Sequence, residues 1–86
     1  MQKNFYLNIL TPEALVYKGD VSSLIVPAAL GYLGVLADHA PLIANLKAGK
    51  IIVKESSGGL TIINNKGKGF LKVLKNKTVI LLDSVD

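Results

Sequence analysis

At 86 residues the chain has room for one hydrophobic core and not two, since a domain of this size buries only about 60% of the surface its unfolded chain exposes. Half of its residues are hydrophobic, which excludes disorder, and the absence of cysteine excludes a disulfide framework, a thiolate zinc site and thiol catalysis together. The net charge of +4 is carried by lysine alone, without the arginine that makes bidentate phosphate or guanine contacts, and no aromatic ladder alternates with the lysines.

The N-terminal stretch MQKNFYLNIL moves straight into alternating residues, with Phe5, Leu7 and Ile9 on one face and Tyr6, Asn8 and Leu10 on the other. That period of two belongs to a strand. It leaves no place for an amphipathic, arginine-rich leader, and the expectation is a soluble protein used without import. Thr11-Pro12-Glu13 turns the chain, Ala14 to Lys18 makes a second strand, and Gly19-Asp20 reads as a turn pair. A third strand, Val21 to Val26, spaces Val21, Leu24 and Val26 by three and then two, which predicts a bulge that keeps all three on the core face.

Six more short strands follow: Gly31 to Leu36, Pro41 to Leu46, Lys50 to Glu55, Leu60 to Ile63, Gly69 to Leu74 and Thr78 to Leu82. Turn signals separate the later ones at Ala48-Gly49, Ser56-Ser57-Gly58-Gly59, Asn64-Asn65-Lys66-Gly67 and Lys75-Asn76-Lys77. No window keeps an apolar stripe at helical spacing. The pattern predicts an all-β domain over residues 1–86, a β-sandwich or flattened barrel of about nine to ten short, mostly antiparallel strands with an aliphatic core.

Charge is unevenly placed along this chain. Residues 1–43 hold two lysines against three carboxylates, a net of −1, while residues 44–86 hold eight lysines against three, a net of +5. One reading of the basic half is a β-barrel that binds single-stranded nucleic acid through Lys66, Lys68, Lys72, Lys75 and Lys77. The other is that lysines guard exposed strand edges against pairing. The uncharged run from Val21 to Ala37 falls short of the ~20 residues of a spanning helix and is broken by Pro27, Gly31 and Gly34.

Signals for chemistry are absent. The six carboxylates are scattered, and no nucleophile stands in a catalytic signature. His39 is the only histidine, and Asp38, its neighbour on an extended segment, points to the other side. A lone histidine makes no structural zinc site, and the glycines form no phosphate-binding loop, so neither metal nor cofactor is expected. Gly31 and Gly34 read instead as tight backbone passage into and out of a strand.

The stretch GYLGVLADHAPLI, continued by Asn45-Leu46-Lys47-Ala48-Gly49-Lys50-Ile51, resembles the epsilon subunit of rotary F-type ATP synthases, called delta in mitochondria. Upstream, Leu7 to Glu13 with Tyr17-Lys18-Gly19 looks like that family's opening hairpin, and Val21 to Pro27 like its next strand. Downstream, Gly69 to Val73 and Thr78 to Asp83 look like its last hairpin.

The resemblance implies a β-sandwich without the C-terminal helical hairpin common in the family. It implies a non-catalytic subunit of the central stalk, linking the gamma subunit to the c-ring and passing on rotation. It further implies a peripheral position on the cytoplasmic side of a bacterial plasma membrane. Carried over by position, Leu30, Gly31 and Tyr32 would face the c-ring, and Thr11 with His39, Ala40 and Pro41 would face gamma. Tyr32 departs from the acidic residue many members carry, so a hydrogen-bonding or stacking contact is expected in place of an ionic one. His39 can equally be a turn residue whose ring nitrogen holds a backbone group.

Overall fold

The computed structural model describes residues 3–86, in which every regular element is a strand. They are β1 (Phe5–Leu10), β2 (Leu15–Ala28), β3 (Gly31–Leu36), β4 (Leu42–Leu46), β5 (Gly49–Glu55), β6 (Leu60–Asn65), β7 (Gly69–Leu74) and β8 (Lys77–Leu82). The all-β expectation holds, with eight strands in place of nine because Gly19-Asp20 does not turn. Both residues stay in the ladder, Gly19 opposite Leu7 and Asp20 opposite Tyr6, so two expected strands fuse into the 14-residue β2.

That length gives β2 two jobs. Its first half pairs with β1, and its second half lies between β3 and β5. One layer is therefore the start of β2 with β1, β8, β7 and β4. The other is β3, the end of β2, β5 and β6. The last residue of β2, Ala28, reaches Leu46 of β4 and closes the ring of pairings. All the pairings are antiparallel except β1 with β8.

The predicted bulge in β2 is present. Against β5 the register slips between Val21 and Ser23, and Val21, Leu24 and Val26 are all fully buried. The extra residue, Ser22, is buried too and donates its hydroxyl to the Lys54 carbonyl at 3.2 Å. Between the layers Leu7, Ile9, Ile51, Val53, Leu71 and Ile80 pack without solvent contact. Among the described residues the buried cluster holds one aromatic side chain, Phe5, with Tyr17 partly buried against it, so the core is aliphatic as the composition predicts.

Turns follow their chemistry with two corrections. Lys75 and Asn76, at φ 50° and 59°, make the two-residue connection of β7 to β8, a mirror-image turn whose twist suits a hairpin. Gly31, at φ 133°, makes the tight entry into β3, whereas Gly34 sits mid-strand and does not mark an exit. Asn65, expected in a turn, ends β6 and is buried because its side chain is fully used. It donates to the Lys47 and Gly67 carbonyls at 2.9 and 2.8 Å and accepts from the Gly67 amide at 3.2 Å.

Candidate functional site

The candidate contact residues lie on three connections. Thr11 opens the β1–β2 turn, where its amide and the Ala14 carbonyl pair at 2.9 Å and its hydroxyl accepts the Ala14 amide at 3.2 Å. Leu30, Gly31 and Tyr32 form the β2–β3 hairpin. Leu30 projects wholly into solvent and Tyr32 is 65% exposed. His39, Ala40 and Pro41 lie between β3 and β4, with Ala40 and Pro41 exposed.

Thr11 and the His39 turn do not come together. Asp38, next to His39, contacts Lys3 before the start of β1 and Asn76 in the β7–β8 turn. Thr11 follows the far end of β1, about 20 Å away at the rise of a strand. Any one partner touching both must run the length of the layer. The Leu30 hairpin sits nearer the Thr11 end, beside β4, with the Ala29 amide on the Asn45 carbonyl and the Lys47 amide on the Pro27 carbonyl.

The His39 turn is built by its neighbours. Asp38 takes a left-handed backbone, φ 63°, and its carboxylate accepts from Lys3 Nζ at 2.8 Å and from Asn76 Nδ2 at 2.8 Å. In return the Asn76 side-chain oxygen accepts the Asp38 amide. The Lys3 ammonium and then the Asn76 amide hold the Asp38 carboxyl below its ordinary range, and Asp38 raises Lys3 in turn. His39 is left to the backbone: its Nδ1 meets the Ala40 carbonyl at 2.7 Å, and its amide donates to the Leu36 carbonyl. No His–Asp pair forms, so the arrangement shapes a turn.

Two further features escaped the sequence reading. Leu10, Thr11, Pro12, Lys68, Phe70 and Leu81 line an open groove of about 420 Å³ on the outer face of the β1–β8–β7 layer. Cross-strand registry produces it, since Leu10 pairs with Leu81 and Leu81 with Phe70. The second feature is Glu55, which accepts from Tyr17 at 3.1 Å and Thr61 at 3.0 Å and so ties the two layers. Burial first, and Glu55 second, push the Tyr17 phenol up.

Of the five lysines proposed for nucleic acid, Lys68, Lys72 and Lys77 lie along the outer face of the β7–β8 hairpin. Lys66 reaches Asp86 at 3.7 Å, Lys68 borders the groove, and Lys72 and Lys77 flank Leu74 and Val79 further along the same face. Among the described residues no three carboxylates or histidines are grouped to hold a metal ion. Among the same described residues no helix is long and apolar enough to cross a membrane.

Comparison with known proteins points the same way as the resemblance. The family model for the ATP synthase delta/epsilon chain β-sandwich domain matches residues 4–86. An ATP synthase epsilon chain of Dichelobacter nodosus is 36% identical over 96% of this chain, which spans 57% of that protein. One of Chlorobaculum tepidum is 39% identical over 96% of this chain, which spans 93% of it. A chain in the structure of the Euglena gracilis mitochondrial ATP synthase OSCP, F1 and c-ring superposes with a TM-score of 0.89 at 19% identity, covering 96% of this chain and 52% of its own length. That last likeness is one of fold. The chain belongs to the ATP synthase delta/epsilon family through its β-sandwich domain.

Proposed function

We propose that this family member is the epsilon-type subunit of a rotary ATP synthase, joining gamma to the c-ring and passing rotation between them without chemistry of its own. The observation that carries the reading is the family match over residues 4–86, which takes in every strand of the sandwich. The fold suits the task. A ring of pairings around an aliphatic core resists deformation because interiors are packed as densely as organic crystals.

The exposed loops suit it as well. Leu30, Gly31 and Tyr32 form an uncharged projection, and charge depletion characterises the centre of an interface. In this reading they meet the c-ring, Thr11 with His39, Ala40 and Pro41 meets gamma, and the complex holds the chain at the cytoplasmic face of a bacterial plasma membrane. The test is affinity purification of the synthase through a tag on this chain. Gamma and the c-ring co-elute with the wild type, and a Tyr32→Lys, His39→Glu variant recovers less of both. Equal recovery by the variant removes those residues from the interface; absence of both partners from the wild-type eluate removes the role.

A further inference from the structure

Among the described residues β3 pairs with β2 on one side and with no strand on the other. The hairpin closes on Ala28 opposite Gly31, so antiparallel alternation turns the backbone groups of Gly31, Leu33 and Val35 toward β2 and those of Tyr32, Gly34 and Leu36 outward. The Leu36 carbonyl is taken by the His39 amide, and among the described residues the backbone bonds outside the ladders use neither Tyr32 nor Gly34.

An open edge of this kind is normally guarded by lysine, proline or a bulge. β3, GYLGVL, has none of them, and no lysine occurs between Lys18 and Lys47 although the chain is rich in lysine elsewhere. The edge strand of the same layer at the far side, β6, is treated differently. There the Asp86 amide binds the Asn64 carbonyl and Val85 bridges to Asn65, so residues 85–86 cover its last two residues.

Side chains repeat the pattern. Ile62 pairs with Ile52, Ile52 with Ile25, and Ile25 with Gly34, an apolar row across the outer face that stops where a side chain is missing. A Cβ at Gly34 would meet nothing within 4 Å, while Tyr32 and Leu36 on either side are 65% and 62% exposed. The space over Gly34 is open, with Ile25 its partner in the ladder.

We infer that β3 accepts an extended, uncharged segment of the gamma subunit by strand addition, with an apolar residue opposite Gly34. The inference rests on the stalk role proposed above. β3 runs from the Leu30–Tyr32 projection to the His39 turn, so a shaft that holds the turn while it meets the ring lies along this edge.

The test is amide hydrogen exchange of the chain with and without purified gamma, together with the affinity of edge variants. The Tyr32 and Gly34 amides gain protection in the complex. Gly34→Pro removes the outward donor at a position where an edge strand tolerates proline, and it weakens gamma binding on the order of tenfold or more with the fold retained by circular dichroism. Gly34→Lys, which keeps the amide but guards the edge with charge, weakens it similarly and serves where the proline variant fails to fold. Full-strength binding by both variants, or unprotected Tyr32 and Gly34 amides in the complex, overturns strand addition and leaves the stalk role standing. Failure of the wild type to bind gamma overturns both. A dimer of the chain alone that protects these amides assigns the edge to a second copy and overturns the gamma assignment.

Discussion

Gly49 and Asp38 set the loops of this molecule by opposite means. Gly49 has φ 154°, and a Cβ there would stand 2.8 Å from the rigid Pro27 ring and 3.6 Å from the Tyr32 hydroxyl. Neither the backbone nor the Pro27 ring can give way cheaply, so Gly49→Ala is expected to cost about 1–3 kcal/mol, read by chemical denaturation. Asp38 works through charge. Its carboxyl is held down by Lys3 and Asn76, so its contribution is present above the unfolded carboxyl value, about 3.9, and is lost as pH falls from there through the folded value. The His39 amide is expected to shift in an NMR titration below about pH 4 in the wild type. In Asp38→Asn that acid step disappears. A step of the same size in the variant would mean that another group shapes the turn.

At the level of elements, strand identity was legible in the sequence and strand boundaries were not. Alternation at Phe5, Leu7 and Ile9 and the irregular spacing of Val21, Leu24 and Val26 each announce what is found, since side-chain period alone decides which face is buried. Gly19-Asp20 misleads because a turn pair is only permissive: the ladder with β1 supplies hydrogen bonds that keep both residues extended. Asn65 misleads for a related reason, since its amide replaces a turn by bonding three backbone groups from two connections. The contact residues were placed by family pattern, and no local signal could reveal that Asp38 lies against Asn76. One element carries a correctable strain: Lys75 adopts φ 50° where glycine or asparagine is usual. Lys75→Gly is expected to raise stability by about 0.5–1 kcal/mol and slow unfolding, with Asn76 kept for its hold on Asp38. An unchanged or lower midpoint in urea would show that the turn is not strained.

Over the whole molecule, the long β2 makes two layers behave as one body. It pairs with β1, β3, β4 and β5, and its core residue Leu24 is fully buried. In the stalk role proposed above the domain must not shear between its layers, and a strand shared by both resists that slip directly. Leu24→Ala, which empties the middle of the shared strand, is expected to cost about 2–5 kcal/mol. The loss should be felt equally far from the mutation, because cooperative unfolding admits no separate melting of either layer. Ile80 in β8 and Ile63 in β6 belong to opposite layers, and their amides should exchange faster by the same factor in the variant. If exchange quickens in β6 while β8 keeps its protection, the layers open independently, and stiffness must be supplied by the partners.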